Sequence, residues 1–371
     1  MKALTIGGAT NDFIAIIEDE LIERMTMHNA TSSYLLFEEG HKVEAKSIDV
    51  FVGGGAANGA VSMARLGFDV ASIVKIGNDY AGKNVTDVFA TEGIDASRVI
   101  ITENDSTGRA VMVSSHVKNP TIFVYRGANT RLRTHEISHD HFAGMDLIYI
   151  TGLSGDSSAA FPHIVSLAKN SGAKVAANPG IRQLSSRSED FYHSLNSIDI
   201  LSLNAAESAQ LVPFMTKDAK HGELVISQTN NNDDESLGTP ELVANGLTCA
   251  GINMTLGDFF ATIINLGLDT FVLTNGKEGA YIGNKDGVYF CNSRQVEVKG
   301  TAGAGDAFFS TFASLYVDGA SVEDAVHAAT LNSASVVGQV DTQSGLLKRS
   351  TLKQQLKDFD NSACVTYKFR P

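Results

Sequence analysis

GTAGAGDAFF, residues 300–309, sets three small residues and then an acid at the point where a loop turns into a helix. Gly303, Ala304 and Gly305 leave the main chain uncovered, and Phe308, Phe309, Phe312 and Leu315 supply the buried stripe of the helix that follows. The first-turn amides of a helix have no intrahelical acceptor and sit at the positive end of its dipole, which makes them an anion site. Asp306 is an awkward charge beside an anion unless it works as a base, taking the proton from an attacking hydroxyl while the amides stabilise a transferring phosphoryl group. On this motif alone, an N-capping Asp on a glycine-entered helix explains the residues equally well.

Outward from it, short apolar runs predict strands at 3–8, 70–77, 146–152, 174–180, 198–204 and 269–276. Apolar residues three and four apart predict helices at 57–67, 82–93, 159–172 and 257–267 between them. This alternation implies a parallel sheet covered on both faces, with ligands at the carboxyl ends of its strands. The segments 42–54, 110–117 and 121–127 have a different texture, strand-like with no helix between the last two. They are read as a small antiparallel sheet serving as a lid. The polar run NNNDDES, 230–236, reads as a solvated loop within a stretch, 213–253, that does not fit the alternation and is assigned no role.

Two more segments carry candidate chemistry. In VGGGAANGAVSMARLG, 52–67, the glycines bring main chain close to a ligand and Asn58 offers both donor and acceptor from a helix start, although a tight glycine turn explains the run as well. In GGATNDF, 7–13, Asp12 follows the first strand and can take two neighbouring hydroxyls, or simply close a turn. Two look-alikes compete. GNDYAGKN, 77–84, has the G-x-x-x-x-G-K spacing of a phosphate-binding loop but Asn84 where a hydroxyl is needed for Mg2+. HEISHDH, 135–141, contains H-E-x-x-H, which puts His135 and His139 on one helix face for zinc, with Glu136 as base, but shows no third ligand downstream. A zinc hydrolase using 135–139 therefore stays open as an alternative.

Composition limits the classes. With 371 residues, 43% hydrophobic and 19% charged, the chain has ample material for a large core. A formal net charge of −13 argues against a nucleic-acid or anionic-membrane surface. Cys249, Cys291 and Cys364 lie far apart in sequence, so neither a disulfide framework nor a cysteine zinc site is expected, and a reducing cytoplasm fits. The opening MKALTIGGATNDF is too short in apolar residues for a secretory signal, and no run of ~18 apolar residues occurs.

Together, the glycine-rich 52–67 motif, the late GAGD and their order resemble the ribokinase-like carbohydrate kinase family (PfkB family) over about residues 3–345. The resemblance implies one ribokinase-like α/β domain over 1–371: a mostly parallel central sheet flanked by helices, with lid strands inserted at about 13–55 and 108–128. It implies an ATP-dependent kinase acting on a hydroxyl of a sugar or nucleoside, with Mg2+; the exposed edges expected of the lid strands offer a surface for a partner subunit, so a homodimer through the lid is expected. A non-catalytic sugar- or nucleoside-binding regulator on the same fold is the alternative from another class. By resemblance, Asp306 is the catalytic base with Gly303, Ala304 and Gly305 as the anion hole, and Asp12, Gly54, Gly55 and Asn58 surround the acceptor. Gly55 stands where ribokinases often have Lys. NPGIR (178–182), NAAE (204–207) and TNGKEG (274–279) imply Asn178, Asn204, Glu207, Thr274, Gly276 and Gly279 around the nucleotide, with Asn204 and Glu207 near Mg2+ through water. Asn332 matches a position lining the adenine pocket, Gly77, Asp79 and Gly82 become structural or near the substrate, and YRGAN (125–129) becomes the return from the lid. The family usually has Asp-Thr where Gly300-Thr301 stands, and that Asp commonly helps hold a monovalent cation, so K+ dependence is left open.

Overall fold

The structure, a computed structural model, describes residues 1–18, 23–26, 33–114, 121–229, 239–360, 362 and 364–369. Residues 115–117 of the expected lid strand and the polar run 230–236 lie outside this set.

An 11-stranded sheet organises the chain, in the order Leu224–Thr229, Cys364–Phe369, Gly287–Cys291, Ala280–Asn284, Thr270–Thr274, Ile200–Asn204, Lys174–Asn178, Leu147–Thr151, Lys2–Gly7, Asp69–Gly77, Ile100–Thr102. From Thr270–Thr274 to Ile100–Thr102 every neighbouring pair runs parallel. The remaining pairs are antiparallel. The pleat sends alternate residues to opposite layers: Leu4 and Ile6 join one core, Ala3 the other, and Ile148 and Ile150 separate from Leu147 and Tyr149 in the same way. Strands buried on both faces explain why the sequence shows continuous apolar runs there.

The helix Gly55–Arg65 is rich in alanine, starts after Gly54 at φ 92° and stops before Gly67 at φ 87°, both in the left-handed region that favours glycine. It packs beside Ala304–Val317, and small residues allow the approach: Ser310 Oγ donates to Ser62 Oγ at 2.7 Å. A Cβ at Gly59 would meet the Tyr149 ring at 2.7 Å. The two glycine motifs, distant in sequence, thus start their helices at the same end of the sheet.

A 4-stranded sheet stands off the main one, in the order Ser47–Gly53, Thr10–Ile16, Gly108–Ser114, Thr121–Tyr125. Its inner face carries Ile14, Ile16 and Met112, packed with Phe51 against Ala302 and Val340 of the main body. Its outer face carries the cross-strand row Val50, Phe13, Val111, Phe123, of which Phe123 is 60% exposed. Part of 213–253 enters the main sheet as the edge strand Leu224–Thr229, and Leu247–Cys249 pairs with Ile252–Met254 as a hairpin. Among the described residues no helix is long and apolar enough to cross a membrane.

The sequence reading did not foresee one cysteine pair. Cys291 and Cys364 are directly opposed on adjacent strands, Cα–Cα 4.2 Å, with their sulfurs in bonding contact. Sequence spacing carries no information about a pairing made by strands 73 residues apart.

Candidate active site

Three adjoining cavities of about 310, 180 and 230 Å³ form one cleft at the carboxyl ends of the parallel strands. The first is a largely apolar slot walled by Ala280, Val296, Phe308 and Val337, with Thr274, Gly276, Gly279, Ala304 and Gly305 along its edge. The middle cavity is polar, lined by Asn178, Asn204, Glu207, Thr274, Gly303, Gly305 and Asp306. The third is lined by Gly54, Gly55, Thr10, Arg126, Asn129 and Asn178, and again by Asp306. Asp306 is therefore shared by the second and third cavities, and Gly305 by the first and second.

Gly303 caps the helix Ala304–Val317 with φ 79°, and a Cβ there would meet Thr342 Cβ at 2.7 Å. The first-turn amides open where the cavities meet. Asp306 touches the cleft but lies deep in the protein body. Burial raises its pKa above the ordinary carboxylate range, and the hydrogen bond from Asn58 Nδ2 to Oδ2, at 2.8 Å, opposes that rise. A raised pKa brings a carboxylate closer to the proton affinity a base needs.

Asn58 corrects the sequence reading. It is 3% exposed and its amide is already satisfied by protein: Oδ1 accepts from Thr342 Oγ1 at 2.9 Å and from Gln343 Nε2 at 3.1 Å, while Nδ2 holds Asp306. It orients the Asp306 carboxylate and does not line the cavities. Asn332 is a second correction. Fully buried, it ties Thr311 Oγ1 (2.7 Å) to the Leu347 amide (2.8 Å), and its helix neighbours Thr330, Ser333 and Ala334 face the slot instead. Asp12 sits on the inner face of the small sheet, 5% exposed, behind Thr10 rather than in the cavity wall. Burial lifts its pKa to about 6, a bond from Thr10 works the other way, and Oδ1 is left with no partner among the described residues.

Asn204 and Glu207 form a reciprocal cap: Asn204 Oδ1 accepts from the Glu207 amide at 2.9 Å, and Glu207 Oε2 accepts from the Asn204 amide at 3.0 Å. Burial raises the pKa of Glu207, and its bonds to the amides of Asn204 and Ile181 oppose the shift. Asn178 Nδ2 donates to Ser202 O at 2.9 Å, which leaves its oxygen for the cleft. These are hard oxygen donors suited to Mg2+, and because Glu207 is already engaged by main-chain amides they fit a hydrated ion held through water.

Both look-alikes dissolve. Asp79 caps the helix Tyr80–Thr91, accepting from the Gly82 amide at 2.8 Å and Thr107 Oγ1 at 2.7 Å and pairing with Arg109 at 2.9 Å, so 77–84 is a braced turn. HEISHDH is two short 3-10 turns, Thr134–Glu136 and His139–Phe142, broken at Ile137 in extended backbone. Glu136 is bound to Lys75 at 2.5 Å. Neither His135 nor His139 belongs to a group of metal-ligating side chains among the described residues, and the two do not share a helix.

Sequence reading missed Thr10, Arg126, Asn129 and Ser154 in the third cavity and Lys277 and Arg294 in the slot. Asn129, within the quoted YRGAN, bridges the main-chain N–H and C=O of Ala9 at 3.1 and 2.8 Å, fastening this segment to the turn after the first strand. Gly300 packs against carbonyl oxygens, where a Cβ would meet Gln339 O at 2.9 Å.

Comparison with known proteins gives a consistent result. The family described as pfkB family carbohydrate kinase matches residues 20–228 and 257–349. The 2-dehydro-3-deoxygluconokinase of Bacillus subtilis is 26% identical over 341 residues, 89% of this chain and 94% of that protein. The ribokinase of Haemophilus influenzae is 25% identical over 315 residues, 84% and 89% of the two chains. The Arabidopsis thaliana ribokinase structure complexed with ribose and ATP superposes with a TM-score of 0.70 at 20% identity, covering 96% of this chain and 98% of that one.

Proposed function

The chain belongs to the pfkB family of carbohydrate kinases, and from that premise we propose that it transfers the γ-phosphoryl group of ATP to a hydroxyl of a sugar or nucleoside, with Asp306 as general base. The observation that carries this reading is the position of Asp306 between the polar middle cavity and the acceptor cavity. The adenine end of ATP fits the apolar slot, and the triphosphate runs past Gly303–Gly305 into the middle cavity. The acceptor lies against Gly54, Gly55 and Asn129, with the unpartnered Oδ1 of Asp12 behind.

As the acceptor oxygen attacks the γ-phosphorus, its proton passes to the Asp306 carboxylate. The new P–O bond forms, the bond to the β-γ bridging oxygen breaks, and ADP leaves. Amides of the first turn of Ala304–Val317 receive the charge spreading over the phosphoryl oxygens. Asn58 holds Asp306 in line. When bound near Asn178, Asn204 and Glu207, Mg2+ neutralises charge on the phosphates. Closure of the small sheet over the acceptor excludes water, which otherwise competes as a nucleophile. The reading also includes cytoplasmic residence, where ATP is supplied, and a dimer in which a second copy covers the apolar outer row Val50, Phe13, Val111, Phe123. Light scattering that finds only monomer removes the dimer.

The test is Asp306→Asn. Turnover should fall at least ~10²-fold, the usual range for loss of a general base, while ATP still binds by calorimetry. Near-normal ADP release across a sugar and nucleoside panel would take Asp306 out of the chemistry.

A further inference from the structure

Cys291, Cys364 and His327 are brought together by three elements that no local motif links. Cys291 ends the strand Gly287–Cys291, Cys364 opens the strand Cys364–Phe369, and His327 stands on the helix Val322–Val337. Cys291 and Cys364 are 2% and 1% exposed, while His327 is half-buried and gives the cluster a way to solvent. The two sulfurs and a ring nitrogen of the histidine all lie within 4.8 Å of one another, and among the described residues no other three metal-ligating side chains converge in this way.

The imidazole is held in place on several sides. Its ring stacks on Phe359 with centroids 4.2 Å apart, Nε2 lies 2.8 Å from Tyr289 Oη, and the same nitrogen is 3.7 Å from Cys364 Sγ. A disulfide needs the two sulfurs and gives this histidine nothing to do. Zinc bonds of about 2.3 Å to sulfur and 2.0 Å to nitrogen, at tetrahedral angles, put the two ligand atoms about 3.5 Å apart. The separation of Nε2 and Cys364 Sγ is close to that. The sulfurs, now in bonding contact, must part to about 3.8 Å to share an ion, which rotation about their Cα–Cβ bonds allows.

We infer that Cys291, Cys364 and His327 are the protein ligands of a Zn2+ site in the dithiol form of the chain, and that the joined sulfurs are the metal-free form of the same cluster. The donors are soft, unlike the hard oxygen set around Asn204 and Glu207. Two thiolates balance the two charges of the ion, so it enters a buried place without leaving net charge there. Tyr289 Oη offers an oxygen for the fourth position. A dithiol reductant gives the pair two electrons and two protons, the S–S bond breaks, and the reductant leaves as a disulfide. Zn2+ then binds both sulfurs and Nε2, and the two thiol protons pass to water. An ion held here ties the last strand to the helix Val322–Val337, whose Thr330, Ser333, Ala334 and Val337 line the apolar slot alongside Cys291.

The experiment uses the full chain, reduced with a phosphine and stripped with EDTA, then titrated with Zn2+ against a chromophoric chelator and separately with Co2+. One Zn2+ per chain should bind with a Kd below about 1 μM. Co2+ should show a thiolate-to-metal charge-transfer band and the intense visible bands of a tetrahedral site. The melting temperature of the reduced chain should rise with Zn2+ concentration, since the ion binds the folded state. Cys364→Ser and His327→Gln should each weaken Zn2+ at least about 100-fold, while Cys249→Ser, in the separate hairpin strand Leu247–Cys249, binds as the wild type does. Chain in which peptide mapping finds Cys291 joined to Cys364 should likewise bind at least about 100-fold more weakly. Zn2+ held no more tightly than about 1 μM by the reduced wild type overturns the inference. So does a Co2+ spectrum without the thiolate band, equal binding by the oxidised chain, or a loss of Zn2+ confined to Cys249→Ser. The wild-type titration and spectrum decide the question even if a variant fails to fold, and none of these readouts depends on turnover.

Discussion

Replacing Asn58 with alanine tests the largest departure of the structure from the sequence reading. The side chain is 3% exposed and makes three bonds: to Asp306 at 2.8 Å, from Thr342 at 2.9 Å and from Gln343 at 3.1 Å. Alanine leaves two buried donors without an acceptor, at about 1–3 kcal/mol each. Unfolding entropy of about 2.1 cal/mol/K per residue over 371 residues gives about 0.8 kcal/mol per degree, so the melting temperature should drop on the order of 5 °C. The catalytic effect has a definite sign. Burial raises the Asp306 pKa and the Asn58 bond opposes it, so losing that bond raises the pKa further. The base must be unprotonated to act, and the acid limb of the pH profile of kcat/KM should therefore move to higher pH. A hydrogen bond to a charged group is worth about 1.5–3 kcal/mol, which corresponds to a loss of about 10- to 100-fold on that limb and a much smaller loss at high pH. Thermal melts and a pH series with ADP-coupled detection give both numbers. An unmoved limb and melting temperature, with only the acceptor KM raised, would return Asn58 to the substrate and refute its role as holder of the base.

Asp12→Asn should stabilise the empty protein at pH 7 by up to about 3 kcal/mol, the equivalent of a carboxylate pKa raised from 3.8 to about 6. Because the folded state holds that proton more tightly, the penalty is small at pH 4, vanishes below the ordinary pKa of 3.8 and is nearly complete above about pH 6; equal melting shifts at pH 4 and pH 7 would contradict it. Asn332→Leu should lose about 1–3 kcal/mol in chemical denaturation, from orphaning the Leu347 amide and the Thr311 hydroxyl, with KM for ATP unchanged; the opposite pattern would put Asn332 back in the adenine pocket. Gly303→Ala must take a left-handed φ of 79° and push on Thr342, so it should cost about 1–3 kcal/mol and lower kcat together; an unaltered melt with full turnover would show that the helix start tolerates a side chain.

How far the sequence could be read follows from the range of the interactions. Strands such as Leu147–Thr151 and Lys174–Asn178 were legible because burial on both faces writes an apolar run in one place. Helix starts at Gly54 and Gly303 were legible because only glycine suits their backbone there. Asn58 was misassigned because its partners Thr342 and Gln343 lie at the far end of the chain, and a free amide and a satisfied one look alike in sequence. The same holds for Asn332. The edge strand Leu224–Thr229 was unassignable because its partner, Cys364–Phe369, is the last strand in chain order.

That edge has a bearing on how the molecule is made. In the large sheet Leu224–Thr229 touches only Cys364–Phe369, which also closes the flank of Gly287–Cys291. During synthesis these two rows of open amides stay unpaired until Cys364–Phe369 has been made. Chains stalled just short of Cys364 should therefore be the species that aggregates and recruits chaperones, and addition of Cys364–Phe369 should close both open flanks in a single step.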